Sequence, residues 1–275
     1  MTPALVHDRH RTASPTAEQT ARARDWAEIQ ERMLVPLYEA VYERLEIGPG
    51  SRVLGLGCGT GLALLLAVER GAAVHGVETD AARLALARER LLSEPEWGTR
   101  PWEARLTPGG PGEPLPQEDG VPTLVTAFEA LPGAEALART AAGLERGTPV
   151  VLAGWGPSER CATAPALRVA TRLAEPAAEP ASGCAHWCGR DDLEDLAHRA
   201  GLRLDGSGRV ACPFGYAGME SAVRGLLATG LYDPAVRATD EEQVLKELVE
   251  ALHPYLREDG TLWMPNLFRY VIART

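Results

Sequence analysis

The sequence has few aromatic residues, no excess of basic residues and no long apolar run. Aromatic residues make up only 5% of the 275 positions, so aliphatic side chains must supply most of the core that a hydrophobic fraction of 45% allows. The formal net charge is -10, and a nucleic-acid partner would need a basic face instead. We therefore expect no nucleic-acid partner.

Membrane and metal signals are also missing from the sequence. No run approaches the roughly 18 consecutive apolar residues that indicate a membrane span, and residues 1–15 lack the apolar segment of a signal peptide. The five cysteines have no regular spacing, a pattern typical of reduced thiols in the cytosol. Cys184, His186 and Cys188 do not have the spacing of a common structural zinc site. We expect a cytoplasmic protein with no membrane contact and no metal.

A glycine-rich turn is the most informative feature that is present. Residues 53–61 read Val-Leu-Gly-Leu-Gly-Cys-Gly-Thr-Gly, and Glu78 follows a second short apolar run at 74–77. Glycines let backbone N–H groups approach a ligand where a Cβ atom would clash. A carboxylate about twenty residues later is placed to bind a ribose diol in a nucleotide-binding βαβ unit. The pattern predicts a ligand that contains a nucleoside.

The Gly-x-Gly-x-Gly spacing differs from the dinucleotide fingerprint and resembles motif I of the class I S-adenosylmethionine-dependent methyltransferases, with Glu78 as the motif II acid. Residues 154–161 and 259–273 resemble later strands of the UbiE-like subgroup. The resemblance implies S-adenosyl-L-methionine as cofactor. It also implies a set of cofactor-binding residues: Leu56, Gly57, Cys58, Gly59, Gly61, Glu78, Thr79, Leu106, Thr126, Ala127 and Phe128.

Three positions depart from that family pattern. Gly55 replaces the acid of the motif I strand, no Gly-Asp pair follows the third strand, and Pro122-Thr123 stands where Phe-Asp usually opens the fourth. We therefore expect the adenine to be held by apolar contacts and backbone groups near Leu106, Thr107 and Phe128. The departures leave open two alternatives to methyl transfer. One is a cyclase- or isomerase-type enzyme that retains the cofactor, and the other is a degenerate cofactor-binding protein.

The resemblance and the alternation of strands with helices predict a Rossmann-like α/β fold, with a doubly wound, mostly parallel seven-stranded sheet. One domain is expected after a flexible N-terminus. Its segments are 1–16 (flexible), 17–45 (N-terminal helices), 46–156 (cofactor-binding core), 157–260 (lid and cap with strand six) and 261–275 (final strand). Strands are predicted at 52–56, 73–77, 102–106, 123–128, 149–153 and 202–210. Helices are predicted within 18–45, divided at Pro36, and at 59–69, 80–92, 134–144, 190–200 and 218–256.

The substrate side of the site is less specified by the sequence. His186 and His253 are the candidate general bases, although a surface or capping histidine is the favoured interpretation of each because no partner is evident. Trp26, Tyr38 and Trp155 are candidates for the acceptor pocket, and segments 160–190 and 218–258 are expected to cover it as a lid. The leading hypothesis is methyl transfer to a small, largely apolar acceptor in specialised metabolism. The sequence leaves homodimer formation open.

Overall fold

A computed structural model describes residues 15–92, 102–113, 120–128, 130–174 and 191–275. Within these ranges seven strands form one sheet, in the order β3-β2-β1-β4-β5-β9-β6, and two short strands pair separately as β7-β8. The strands are β1 (Arg52–Leu56), β2 (Ala73–Glu78), β3 (Ala104–Pro108), β4 (Leu124–Ala127), β5 (Pro149–Trp155), β6 (Arg203–Ala211), β7 (Phe214–Tyr216), β8 (Leu262–Met264) and β9 (Leu267–Arg274).

Strand β9 gives the sheet its mixed character. Strands β1 to β5 pair in parallel, whereas β9 runs antiparallel to both β5 and β6. The predicted mostly parallel, seven-stranded α/β sheet is therefore confirmed. The helices are α1 (Ala17–Asp25), α2 (Val35–Arg44), α3 (Leu62–Glu69), α4 (Ala81–Leu92), α5 (Ala134–Ala142), α6 (Ala164–Leu173), α7 (Asp192–Arg199), α8 (Met219–Leu227), α9 (Asp233–Ala238) and α10 (Glu241–Leu252).

Both faces of the sheet are buried, because side chains alternate along each strand. Val53 belongs to the core beneath α2 and α3, while Leu54 belongs to the core beneath α5 and α7. Val151 and Val150 divide between the two cores in the same way. Doubly covered parallel strands place their carboxyl ends at one edge, where ligands bind in open α/β sheets.

The N-terminal helical region is one irregular path. A capping box begins α1, in which Thr16 Oγ1 accepts from Gln19 N at 3.2 Å and Gln19 Oε1 accepts from Thr16 N at 2.8 Å. A π-helical turn at Trp26–Gln30 and a 3₁₀ turn at Glu31–Leu34 then lead into α2. The irregularity lies before Pro36, which occupies the first turn of α2 without breaking it.

The C-terminal segment differs from the prediction. Residues 261–275 contain two strands, β8 and β9, separated at Pro265 and Asn266, instead of one final strand. Strand β8 pairs with β7, which the sequence did not indicate. The third strand begins two residues later than predicted. The predicted flexible segment 1–16 falls almost entirely outside the described residues. No helix in the described ranges is long and apolar enough to cross a membrane.

Candidate functional site

A cavity of about 610 Å³ lies at the carboxyl edge of the sheet. Strands β1, β2, β4 and β5 each contribute a residue at or just beyond their carboxyl ends, namely Gly57, Glu78, Phe128 and Trp155. Helix α1, the π-helical turn and the segment between α8 and α9 complete the wall. The volume is within the usual range for small-molecule sites, about 300–1,000 Å³.

The glycine-rich turn contributes bare backbone to this cavity. Gly57 has a φ of +62°, and a Cβ atom added there would lie 2.8 Å from the Cβ of Ala130. An alanine would therefore be strained in conformation and would clash with the loop after β4. The absence of a Cβ at Gly57 thus leaves bare backbone at the cavity wall, and its close approach to a ligand stays a prediction.

Glu78 lies on the cavity wall with only 7% of its surface exposed. Its Oε2 accepts from Gly59 N at 2.8 Å, and its Oε1 accepts from Asp80 N at 2.8 Å. The carboxylate is thereby held in one orientation between the turn and the start of α4. The Thr79 hydroxyl also donates to Oε1, at 3.4 Å. A carboxylate offers about four acceptor sites, so one remains, on Oε2, for a hydroxyl group of a ligand.

A second carboxylate, Glu31, closes the N-terminus of α3. Glu31 is fully buried, and its Oε1 accepts from Thr60 N at 3.1 Å. Its Oε2 pairs with Arg90 Nη1 at 2.8 Å, and the same nitrogen donates to the Thr60 carbonyl. The positive end of a helix is where dinucleotide folds bind a pyrophosphate. Because Glu31 occupies that position here, the turn suits a nucleoside ligand without a phosphate.

The structure accounts for the missing acid at Gly55. A Cβ there would lie 3.1 Å from Leu64 Cδ2, so α3 packs closely against this point of β1. Glu78 and Glu31 bind the N–H groups of Gly59 and Thr60 instead. No pattern in the sequence singled out Glu31, since a glutamate on an amphipathic helix normally indicates a solvent-exposed face.

The predicted cofactor residues divide into two groups. Gly57, Glu78, Thr79 and Phe128 line the cavity. The others are not part of its described lining. Leu106 is buried close to Cys58 and Leu64, and Thr107 Oγ1 lies 3.0 Å from His75 Nε2. Gly109 and Pro111 line the cavity beyond β3. The remaining predicted residues outside the lining are Leu56, Gly59, Gly61, Thr126 and Ala127.

Aromatic side chains form the other end of the cavity. The Trp155 ring lies 4.5 Å from that of Phe268 and 5.4 Å from that of Phe214, and all three line the wall. Sequence analysis named Trp155 and missed both phenylalanines, which come from distant strands. Tyr38 is fully buried and packs behind Phe128 at a centroid distance of 4.9 Å. Tyr38, a predicted residue of the acceptor pocket, is therefore not among the described residues that line this cavity.

Only one of the two candidate bases, His253, lies within the described residues. His253 is exposed in a short 3₁₀ turn at His253–Tyr255 and does not line the cavity. His186 lies outside the described residues, as do Cys184 and Cys188. Within the described residues no group of His, Cys, Asp or Glu side chains could hold a metal ion.

The charged residues of the wall are already engaged. Arg22 Nη2 pairs with Asp233 Oδ1 at 2.6 Å. The Arg83 guanidinium lies 4.5 Å from the centre of the Trp26 ring and donates to the Ala228 carbonyl at 2.9 Å. These contacts join α1 and α4 to the segment between α8 and α9.

The curated relative that the chain matches is similar over a short stretch. A 69-residue segment is 44% identical to Methyltransferase GfsG from Streptomyces halstedii. This segment covers 25% of this chain and 23% of that protein. The chain thus matches less than a quarter of the length of that relative. No protein-family model matches the chain.

Solved structures are similar over nearly the whole chain. A SAM-dependent methyltransferase from Thiobacillus denitrificans, solved with S-adenosyl-L-homocysteine, is 17% identical with a TM-score of 0.53, covering 95% of this chain and 100% of that one. The cyclopropane synthase MmaA2 from Mycobacterium tuberculosis is 13% identical with a TM-score of 0.54, covering 87% of this chain and 83% of that one. The chain therefore has the Rossmann-like α/β fold of class I S-adenosylmethionine-dependent methyltransferases.

Proposed function

We propose that this protein is an S-adenosylmethionine-dependent methyltransferase that acts on a small, largely apolar acceptor. The observation that carries the proposal is the joint placement of the Gly57 turn, the oriented Glu78 carboxylate and the aromatic wall in one cavity. The segment of 44% identity with a curated methyltransferase supports the same function. We place the protein in the UbiE-like subgroup, in the cytoplasm and in specialised metabolism.

The residues present fit this cofactor better than a dinucleotide. Glu78 has an acceptor site left on Oε2 for a ribose hydroxyl, whereas Glu31 closes the helix N-terminus that a pyrophosphate would need. Aromatic faces such as that of Phe128 are attractive to a cation. The cavity therefore suits a nucleoside with a positively charged sulfonium group.

The chemistry asks little of the protein besides alignment. When bound, S-adenosylmethionine supplies a methyl group whose carbon bonds to an acceptor lone pair while the carbon–sulfur bond breaks, its electron pair passing to sulfur. The chain orients the ligands between the Gly57 turn and Phe128, and the cap residues Thr229–Leu231 exclude water. Since no histidine lines the described cavity, alignment supplies most of the acceleration, and positioning alone can contribute about 7–11 kcal/mol.

The altered motif I is not evidence for a degenerate cofactor site. That alternative rested on the replacement of the motif I acid by Gly55. The backbone N–H groups of Gly59 and Thr60 bond instead to Glu78 and Glu31, and these bonds hold the turn. A cyclase-type reaction that retains the cofactor remains the alternative outcome of an activity assay. It would form product without consuming S-adenosylmethionine.

Calorimetry with S-adenosylhomocysteine tests the proposal directly. The intact protein should bind this product, and Glu78→Gln should weaken binding by about 1–3 kcal/mol because a ribose hydroxyl loses its charged acceptor. Glu69→Gln is the matched control, since Glu69 is exposed at the far end of α3, and it should leave the affinity unchanged. Binding of NAD with no binding of S-adenosylhomocysteine would refute the proposed cofactor.

A further inference from the structure

The indole nitrogen of Trp26 is buried without a partner. Trp26 is 7% exposed and lines the cavity, and its Nε1 has no hydrogen-bond partner among the described residues. A buried donor left unpaired is costly, so native proteins rarely retain one without a reason. Because the Trp26 side chain lines the cavity, a ligand that packs against the indole would supply the missing acceptor.

A second donor lies one helical turn away. Gln30 is 3% exposed, lines the same cavity, and follows Trp26 by four residues in the π-helical turn. Its Oε1 accepts from the Tyr216 hydroxyl at 2.9 Å. Burial raises the pKa of Tyr216, so the hydroxyl stays protonated and continues to donate. The amide NH₂ is therefore the group that Gln30 has left to offer a ligand.

The surroundings of these donors are largely apolar. Tyr216 leads to Phe214 at a centroid distance of 6.4 Å, and Phe214 contacts the Trp155 ring. Of the two arginines of the described wall, Arg22 pairs with Asp233, and Arg83 stacks on the Trp26 ring and donates to the Ala228 carbonyl. The indole N–H and the Gln30 amide are themselves neutral donors, and an uncharged oxygen matches both.

We propose that Trp26 and Gln30 recognise the acceptor substrate through one uncharged oxygen, such as a carbonyl, on an otherwise apolar body. The inference rests on the proposed methyltransferase function and narrows its substrate class. Donation of an N–H group to an oxygen withdraws electron density and lowers its nucleophilicity. The recognised oxygen is therefore a positioning group, and a different atom of the acceptor receives the methyl group.

A matched pair of probe molecules isolates the hydrogen bond. Acetophenone and 2-phenylpropene have nearly the same shape and differ in one oxygen. Their affinities are measured by ligand-observed NMR, with and without saturating S-adenosylhomocysteine. Trp26→Phe removes the N–H group and keeps an aromatic ring, so it should weaken acetophenone binding about fivefold to tenfold and leave 2-phenylpropene nearly unchanged.

Trp155→Phe is the control, because it trims another tryptophan of the same wall. It should weaken both probes by a similar factor. Gln30→Glu provides a second variant, since a carboxylate still accepts from Tyr216 but has no amide N–H to donate. It should also weaken acetophenone selectively.

The outcomes separate this inference from the proposed function. Equal weakening of both probes by Trp26→Phe, or no binding of either probe to the intact protein, would overturn the inference. So would a loss of S-adenosylhomocysteine affinity with the probe ratio unchanged, because the indole would then serve the cofactor. Failure of the intact protein to bind S-adenosylhomocysteine would instead refute the proposed function, and the probe measurements without that ligand would still test the two donors.

Discussion

Glu31 and Glu78 together hold the glycine-rich turn from opposite sides. Glu78 reaches it from the end of β2, and Glu31 reaches it from the 3₁₀ turn before α2. Two backbone N–H groups that would otherwise need water are thereby satisfied. Arg90 neutralises Glu31 inside the protein, which makes this buried ion pair depend on both partners.

Removal of Glu31 should be strongly destabilising. Glu31→Ala leaves Arg90 and Thr60 N without their acceptor, and breaking a buried pair typically costs about 3–5 kcal/mol. Urea unfolding measures this loss. Glu247→Ala is the control, because its partner Arg172 has a side chain that is 62% exposed, and such pairs contribute about 0–1 kcal/mol. Equal costs for the two variants would contradict the assigned role of Glu31.

Substitution of Gly57 and of Gly147 separates the cost of backbone strain from the cost of a steric clash. Both have positive φ, but a Cβ at Gly147 has nothing within 4 Å, whereas one at Gly57 lies 2.8 Å from Ala130. Gly147→Ala should cost about 1–2 kcal/mol from conformation alone. Gly57→Ala should cost more and should also weaken S-adenosylhomocysteine binding at least about tenfold, because the turn must move. Similar stability with unchanged affinity in both variants would count against the close approach of this turn to the ligand.

At the scale of elements, the irregular helix between α1 and α2 determines the site. The π-helical turn presents Trp26 and Gln30 to the cavity, and the 3₁₀ turn directs Glu31 under α3. Such π-helical turns are frequent at functional sites. Helix α1 also contacts the cap, which consists of α8, α9 and the segment between them. Arg22 pairs with Asp233 of α9, and Asp25 pairs with Arg224 of α8.

Loss of the Arg22 pair should loosen the cap locally. Arg22→Met should speed amide hydrogen exchange at 228–238, while global stability changes by no more than about 1 kcal/mol, because the pair is partly exposed. Arg274→Met is the matched control, since its pair with Asp205 has similar exposure and lies on the sheet. Identical exchange in both variants would show that the pair does not restrain the cap.

The predicted lid at 218–258 gains support if S-adenosylhomocysteine slows amide hydrogen exchange there.

At the scale of the whole molecule, buried titrating groups predict a loss of stability in alkali. Burial raises the pKa of Cys212 to about 12 and also raises that of Cys161. Above the pKa of an exposed thiol, about 8.5, the unfolded chain loses a proton that the native protein keeps. The free energy of unfolding should therefore fall as pH rises from about 9 towards 12, by up to about 1.4 kcal/mol per pH unit for Cys212.

Urea unfolding at pH 8, 9 and 10 checks this alkaline slope. Cys212→Ala should reduce the slope, whereas an exposed thiol would make no such contribution. Burial also raises the pKa of Cys161, so some slope should persist in the variant. A slope that does not change on removal of Cys212 would show that this thiol does not set the alkaline limit.

Local sequence patterns predicted the elements that depend on neighbouring residues. Strand β1 has the predicted bounds, and α4 begins after Asp80, whose carboxylate accepts from Ala82 N and Arg83 N as a helix cap should. The short strands β7 and β8 were missed because each is three residues long and is stabilised by pairing with the other. Alternating hydrophobicity is too weak a signal over such a length.

The sequence by itself determined the class of fold and the two motifs of the proposed nucleoside site, because apolar periodicity, glycine spacing and the acid after β2 are local properties of the chain. Only the tertiary structure decided which side chains share the cavity. Glu31, Phe214 and Phe268 come from segments far apart in the chain. Tyr38 packs behind Phe128, and Phe128 is the ring that lines the cavity. Such contacts depend on how helices and strands pack, and spacing along one segment carries no information about them.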